Sequence, residues 1–388
     1  MTSVMGWKTP WVFQPPIVKR IVCVFRGVMA VVKGPTVYDV AERAGVSIAT
    51  VSFAFSQPHR VKDSTRNSVL DAARALGYVP SASARGLAKG RTGALGIFAF
   101  DFLNFLPDAE GMKKDRAAAV VAPNDDCRLF PVWVDEVQRG VELESFSRGY
   151  ALMIGGGNKA SSERAVTDIA GRVDGLIIFP RTIPAELTRR ISARIPVLEL
   201  SEPSHDDGLH HVTVDNASGM RQLMAHLLEV HGFRKLMFVS IPNVETEARY
   251  EAFSAVLRDG GLEVPPVLES RPGASGVTAE LIKNLLASGT LPDCFVCAND
   301  EEALVVMETL KAAGVSVPGQ VAVTGFDGVV AGRLVSPTLT TIRQPMELMG
   351  RTAVEILVDA ISQPVAPLVE RQLPVQLVVR ESCGCAEM

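Results

Sequence analysis

A chain of 388 residues with 47% hydrophobic and 21% charged side chains is long enough for two or three folding units with their own cores. Its net charge of −4 excludes a protein that is basic throughout, and six cysteines in this length exclude a disulfide framework. No apolar run reaches the roughly 18 residues needed to span a bilayer, so no membrane partner is expected.

Residues 1–33 place Lys19 and Arg20 ahead of an apolar stretch that Arg26 interrupts, with no A-x-A cleavage pattern after it. They read as an unstructured extension, or as sequence upstream of a true start such as Met29. Residues 34–92 carry eight Lys/Arg against four Asp/Glu, or +4, which leaves −8 on the rest. A basic segment attached to an acidic body fits a nucleic-acid footprint.

Residues 34–80 follow the pattern helix, tight turn, helix, loop, helix. In "TVYDVAERA", Val37, Val40, Ala41 and Ala44 recur at helical spacing behind Thr36, a candidate N-cap. Gly45 can end that helix in the left-handed conformation, and Ser47 can cap a second helix from Ile48 to Phe55, with Val51 turned inward. After "SQPHRVKD", a third helix carries Val69, Ala73 and Leu76 on one face and stops at Gly77. Residues 81–92, "SASARGLAKGRT", offer cations but almost nothing to bury, and read as a linker that orders only against a partner.

From Gly93 the chain alternates apolar runs of strand length ("ALGIFAF", "YALMIGG", "VDGLIIFP", "IPVLEL", "KLMFVS", "DCFVCA", "QVAVTGF") with amphipathic helical segments. That alternation predicts parallel sheets covered by helices on both faces, with too many strands for one sheet. Two doubly wound lobes result, and a ligand would bind in the cleft outside the carboxyl ends of their strands. Residues 106–129 break the rhythm as an inserted surface loop.

The exposed hydroxyls Tyr38, Ser47, Thr50 and Ser52, able to bond phosphates, separate the head from an ordinary three-helix domain. With "TVYDVAERAGVSIATVS" followed by "VKDSTRNSVLDAARALGYVPSASARGLAKGRTGALGI", the chain from about Thr36 to Arg380 resembles the lactose/galactose repressor (LacI/GalR) family of bacterial transcription regulators. The resemblance implies an all-α helix-turn-helix head (34–80), a hinge helix (81–92) and an effector-binding and dimerisation core (93–388). That core would have the fold of the periplasmic sugar-binding proteins, with one lobe from 93–233 and 340–365 and the other from 234–339 and 366–388.

In that family the second helix lies in the major groove, so Ile48, Ala49 and Phe53 would face bases. Thr36, Arg60, Thr65 and Arg66 would contact the backbone. The hinge would place Ala84 and the wedge Leu87 in the minor groove. Phe53 departs from the arginine or histidine common at its position. With Ile48 and Ala49 also apolar, reading would lean on thymine methyls and DNA shape. In the core, Arg249 matches the arginine that bonds sugar hydroxyls and Phe253 follows one turn later. Asp327 matches the effector-binding aspartate. Asn299 and Asp300 sit at another strand end, and Trp133 at the aromatic position of the first cleft helix.

Other features carry less. Cys294 and Cys297 fall in an apolar strand and read as buried thiols, because residues three apart on a strand face opposite ways. Cys383 and Cys385 lack a second ligand pair, so no zinc site is expected there. His205, His210 and His211, in "EPSHDDGLHH", read as a solvated loop. "MIGGGNKA" lacks both phosphate-loop spacings. The expected protein is a cytoplasmic regulator, a repressor without cofactor or metal and not an enzyme. It acts as a homodimer on a pseudo-palindromic double-stranded operator under a carbohydrate effector. The rival is a periplasmic-type solute-binding protein, which leaves the head motif unexplained.

Overall fold

The computed structural model describes residues 34–79, 91–99, 132–156, 162–180, 182–204, 207–270, 275–363 and 365–386. The extension at 1–33, Ala84 and Leu87 in the linker, His205, and the 106–129 insertion lie outside the described residues. The chain divides into two units, Met1–Ser81 and Ala82–Met388.

In the first unit, α1 (Val37–Ala44), α2 (Ile48–Ser56) and α3 (Asp63–Leu76) pack around Val40, Ala41, Val51, Ala54, Val69, Ala72 and Ala73. The alanines keep the helices close, as the spacing predicts. Gly45 ends α1 at φ +65°, where its N–H and that of Val46 satisfy the last carbonyls of the helix. A side chain there would meet left-handed strain of about 1 kcal/mol.

The second unit holds two six-stranded sheets. The first runs β11 (Glu370–Leu373), β5 (His210–Val214), β4 (Val197–Leu200), β3 (Gly175–Ile178), β1 (Ala94–Ala99), β2 (Ala151–Gly156), all parallel. The second runs β12 (Gln376–Val378), β10 (Thr340–Arg343), β9 (Ala322–Asp327), β8 (Cys294–Cys297), β6 (Leu236–Ser240), β7 (Leu268–Glu269), with β12 antiparallel to β10. Each sheet has a core on either face because strand side chains alternate. Ile177 joins Leu95, Met349 and Leu357 on one side of the first sheet, while Leu176 and Ile178 join Phe98 and Ile169 on the other.

The covering helices are α4 (Val132–Ser147), α5 (Ser162–Ala170), α6 (Ala185–Ser192), α7 (Asn216–Ala225), α8 (Val244–Asp259), α9 (Ser275–Ser288), α10 (Asp300–Ala312) and α11 (Met346–Ser362). A π-helical turn, His226–Val230, continues α7. Helix α11 lies against α4 closely enough that a Cβ on Gly140 would overlap the Glu347 carbonyl, and one on Gly350 the Val137 carbonyl.

The chain crosses between lobes three times. It leaves the first after β5, since Met220, Leu223 and Met224 of α7 pack in the second lobe's core. It returns between β10 and α11, whose Met346, Met349 and Leu357 join the first lobe's core. It leaves again between β11 and β12. The sequence reading drew these crossings near 233, 339 and 365; helical periodicity does not tell which sheet an amphipathic face will cover.

Candidate functional site

The head builds its exposed face by capping. The Thr36 N–H and hydroxyl both donate to Asp39, at 2.6 and 2.7 Å. Those bonds hold the Asp39 carboxyl below the usual carboxylate range. Ser47 Oγ accepts the Thr50 N–H at 3.1 Å and lies 2.9 Å from the Thr50 hydroxyl, so α2 begins with two linked hydroxyls. Ile48, Ala49 and Ser52 are exposed beside them, as is Tyr38. Phe53 is half-buried, and the Arg60 guanidinium sits 4.3 Å over its ring while donating to Gln57. Thr65 and Arg66 begin α3 half-buried, and Arg66 Nε has no hydrogen-bond partner.

In the core, polar groups gather at the carboxyl ends of both sheets. Arg249, on α8, is buried: Nε donates to Asn216 at 2.8 Å and Nη1 to the Ala298 carbonyl at 2.6 Å. Nη1 is also 3.5 Å from Asp327 Oδ1, and the guanidinium stacks 3.8 Å over Phe326. Its Nη2 makes no hydrogen bond; the nearest acidic oxygen, on Glu245, is 3.8 Å away. Asp327 ends β9 at φ +124°, a sparsely populated conformation that concentrates at functional sites. Burial pushes its carboxyl well up, against the opposing pull of Arg249.

Gln344 ties the lobes together. Its Nε2 donates to Asp327 at 2.6 Å, and its Oε1 accepts the Trp133 indole N–H at 3.3 Å. Trp133 meets Phe179 edge-on at 5.6 Å. A second bridge joins Arg343 to Glu136 at 2.7 Å, and Glu301 accepts the Val132 N–H at 3.1 Å.

The remaining cleft candidates are engaged otherwise. Asn299 caps α10 by accepting the Glu302 N–H at 2.7 Å. Asp300 is wholly buried, bonded to Thr341 at 2.5 Å and to the Val329 N–H at 2.8 Å. Phe253 packs in the core against Phe238 and Tyr250 and supports α8 from behind. Sequence reasoning missed Gln344 and Asn216, which only the fold brings to Asp327 and Arg249, and Glu245, which precedes Arg249 by four residues on the same helix.

The head, residues 36–81, matches the model of the bacterial regulatory proteins of the lacI family. Residues 224–383 match a periplasmic binding protein-like domain. The chain belongs to the lacI family. It is a DNA-binding transcriptional regulator. It is 29% identical over 358 residues to the HTH-type transcriptional regulator CelR of Thermobifida fusca, covering 90% of this chain and 98% of CelR. It is 27% identical to the ribose operon repressor of Escherichia coli, covering 89% and 99%. Among solved structures, a lac repressor dimer bound to operator and the anti-inducer ONPF superposes with a TM-score of 0.74 at 25% identity, covering 90% of this chain and 99% of that one. A CelR–cellobiose complex superposes at 0.61 and 26%, covering 90% and 99%.

Two readings are corrected. "HHVTV" is strand β5, with His210 and His211 buried, not a solvated loop; two adjacent histidines hid the strand pattern. Cys383 and Cys385 do have a second ligand pair nearby, in His226 and His231. Cys294 and Cys297 are buried, as the apolar strand predicts.

Proposed function

We propose that the cleft binds a sugar or sugar derivative, and that its occupancy controls the affinity of two paired heads for a pseudo-palindromic operator. The observation that carries this is the buried Nη2 of Arg249, a donor without a hydrogen-bond partner, on a guanidinium that approaches the acceptor Asp327, which Gln344 links to the Trp133 indole. A guanidinium fork suits vicinal hydroxyls, a carboxylate or its neutral acid can pair with them, and an indole can cover a pyranose face. That one relative is solved with cellobiose and another is a ribose operon repressor favours the same ligand class. Asn299, Asp300 and Phe253 serve in this reading as supports of the cleft. The cleft binds and does not turn over its ligand, and the protein works in the cytoplasm as a homodimer.

On the DNA side, α2 enters the major groove, with Ile48 and Ala49 against bases. Thr36, Tyr38, Ser47, Thr50, Ser52, Thr65 and Arg66 grip phosphates, and Ala84 and Leu87 act in the minor groove. Phe53 and Arg60 act as a pair, the ring fixing a guanidinium beside the reading helix. A periplasmic solute-binding role leaves this head without a purpose. The test is operator selection from a randomised duplex pool, repeated with a carbohydrate panel. One two-fold-symmetric site whose retention changes with one or a few sugars supports the reading. Retention that no sugar alters refutes it.

A further inference from the structure

Outside both sites, four metal-ligating side chains converge where α7 ends and the chain's last turn passes over it. His226 and His231 Nε2 are 3.2 Å apart. Cys383 Sγ is 3.5 Å from His226 Nε2, and Cys385 Sγ is 3.7 and 3.4 Å from the His226 and His231 nitrogens. All four ligand atoms lie within 4.8 Å of one another. A tetrahedral zinc ion, with bonds of about 2.3 Å to sulfur and about 2.0 Å to nitrogen, requires N···S near ~3.5 Å and N···N near ~3.3 Å. Four of the six edges of such a tetrahedron are matched by these distances, and the remaining two pairs, which join Cys383 to His231 and to Cys385, lie within 4.8 Å.

We propose that His226, His231, Cys383 and Cys385 bind one zinc ion, which staples the C-terminal segment to the end of α7. Backbone features peculiar to this place prepare the set. Five residues apart on an α-helix, His226 and His231 would point about 140° apart. The π-helical turn His226–Val230 widens the helix and brings both rings to one side, the kind of local rearrangement that recurs at functional sites. Between the cysteines, Gly384 takes φ +104°, a conformation that brings the C-x-C thiols to the same side and that a side chain would strain.

The surroundings suit the ion. The His231 ring stacks on Phe233 at 5.1 Å, which fixes its plane. The Thr340 hydroxyl is 3.2 Å from Cys383 Sγ, within reach of a thiolate. Cys383 is buried while the other three are partly open, which leaves a route of entry. Binding displaces two thiol protons, and two thiolates balance the charge of the ion. A mixed Cys₂His₂ set selects zinc over magnesium or calcium. At its other end α7 carries Asn216, the partner of Arg249, so the staple fixes a helix that reaches the cleft.

The test uses the full chain, purified without chelator and held reduced. Elemental analysis should find one zinc per chain. Replacement by cobalt should give the intense visible bands and sulfur charge transfer of a tetrahedral thiolate site. Cys385→Ser and His231→Ala, with folding checked by circular dichroism, should each lose nine-tenths or more of the metal. Chelation should lower the parent's melting midpoint by roughly 5 °C and leave these variants unmoved. Reduced protein without bound metal, iron or copper in place of zinc, a weak octahedral cobalt spectrum, or variants that keep the metal would each overturn the assignment. The cobalt spectrum of the parent decides the matter should the variants not fold.

Discussion

Arg249 is held by Asn216, Ala298 and the Phe326 ring, and only Nη2 is left over. Arg249→Lys keeps the charge but loses the fork. Sugar affinity should fall by roughly tenfold or more while operator affinity stays within about twofold. Calorimetric titration and fluorescence anisotropy would check the two arms, and equal loss in both would count against the assignment. In the head, removing the aromatic shelf frees Arg60. Phe53→Ala should weaken operator binding by about 1 kcal/mol and change the preferred half-site; an unchanged sequence from pool selection would refute the pair.

Asp300 offers a pH experiment. Burial pushes its carboxyl up to about 7 from an ordinary 3.8, in spite of bonds from Thr341 and Val329. With the folded value above the unfolded one, its contribution to stability is whole below pH ~4 and is lost as pH rises through ~7. Asp300→Asn mimics the neutral acid. It should match the parent near pH 4 and exceed it increasingly in stability as pH rises to 8; denaturant unfolding across that range would show a flat difference if the idea is wrong. Arg249 and Asp327 were legible because family motifs fix their places. Gln344 was not, since its role arises from meeting Trp133, 211 residues earlier in the chain.

At the scale of elements, the crossing of α4 and α11 is set by two glycines. Gly140→Ala or Gly350→Ala would drive a methyl into the other helix's backbone, and each should cost roughly 1–3 kcal/mol in unfolding. The apolar runs announced β1, β2, β3, β4, β6, β8 and β9, and all of these but the edge strand β2 are buried along most of their length on both faces. The others were harder to see. β5 opens with two histidines, β7 and β12 are very short, and β11 is polar and exposed along most of its length. The π turn was invisible for a related reason: Leu227 and Leu228 continue the apolar pattern of α7, so periodicity alone predicts an unbroken helix.

For the whole molecule, control by a ligand implies reciprocity. The factor by which a sugar changes operator affinity must equal the factor by which operator changes sugar affinity. Titrating sugar into free and operator-bound protein should give the same ratio as titrating operator with and without sugar; unequal ratios would mean that more than one equilibrium is coupled. Operator affinity should also fall with salt, since head and hinge together, residues 34–92, carry a net charge of +4.

The three crossings between lobes also bear on how such genes diversify. A single recombination point near residue 81 exchanges the whole helix-turn-helix head, because the head is one continuous stretch. No single point exchanges one lobe, since each is assembled from separated stretches of the chain. New operators are therefore open to acquisition by shuffling. New ligands must come by point substitution around residues such as Arg249 and Gln344, within a body inherited intact.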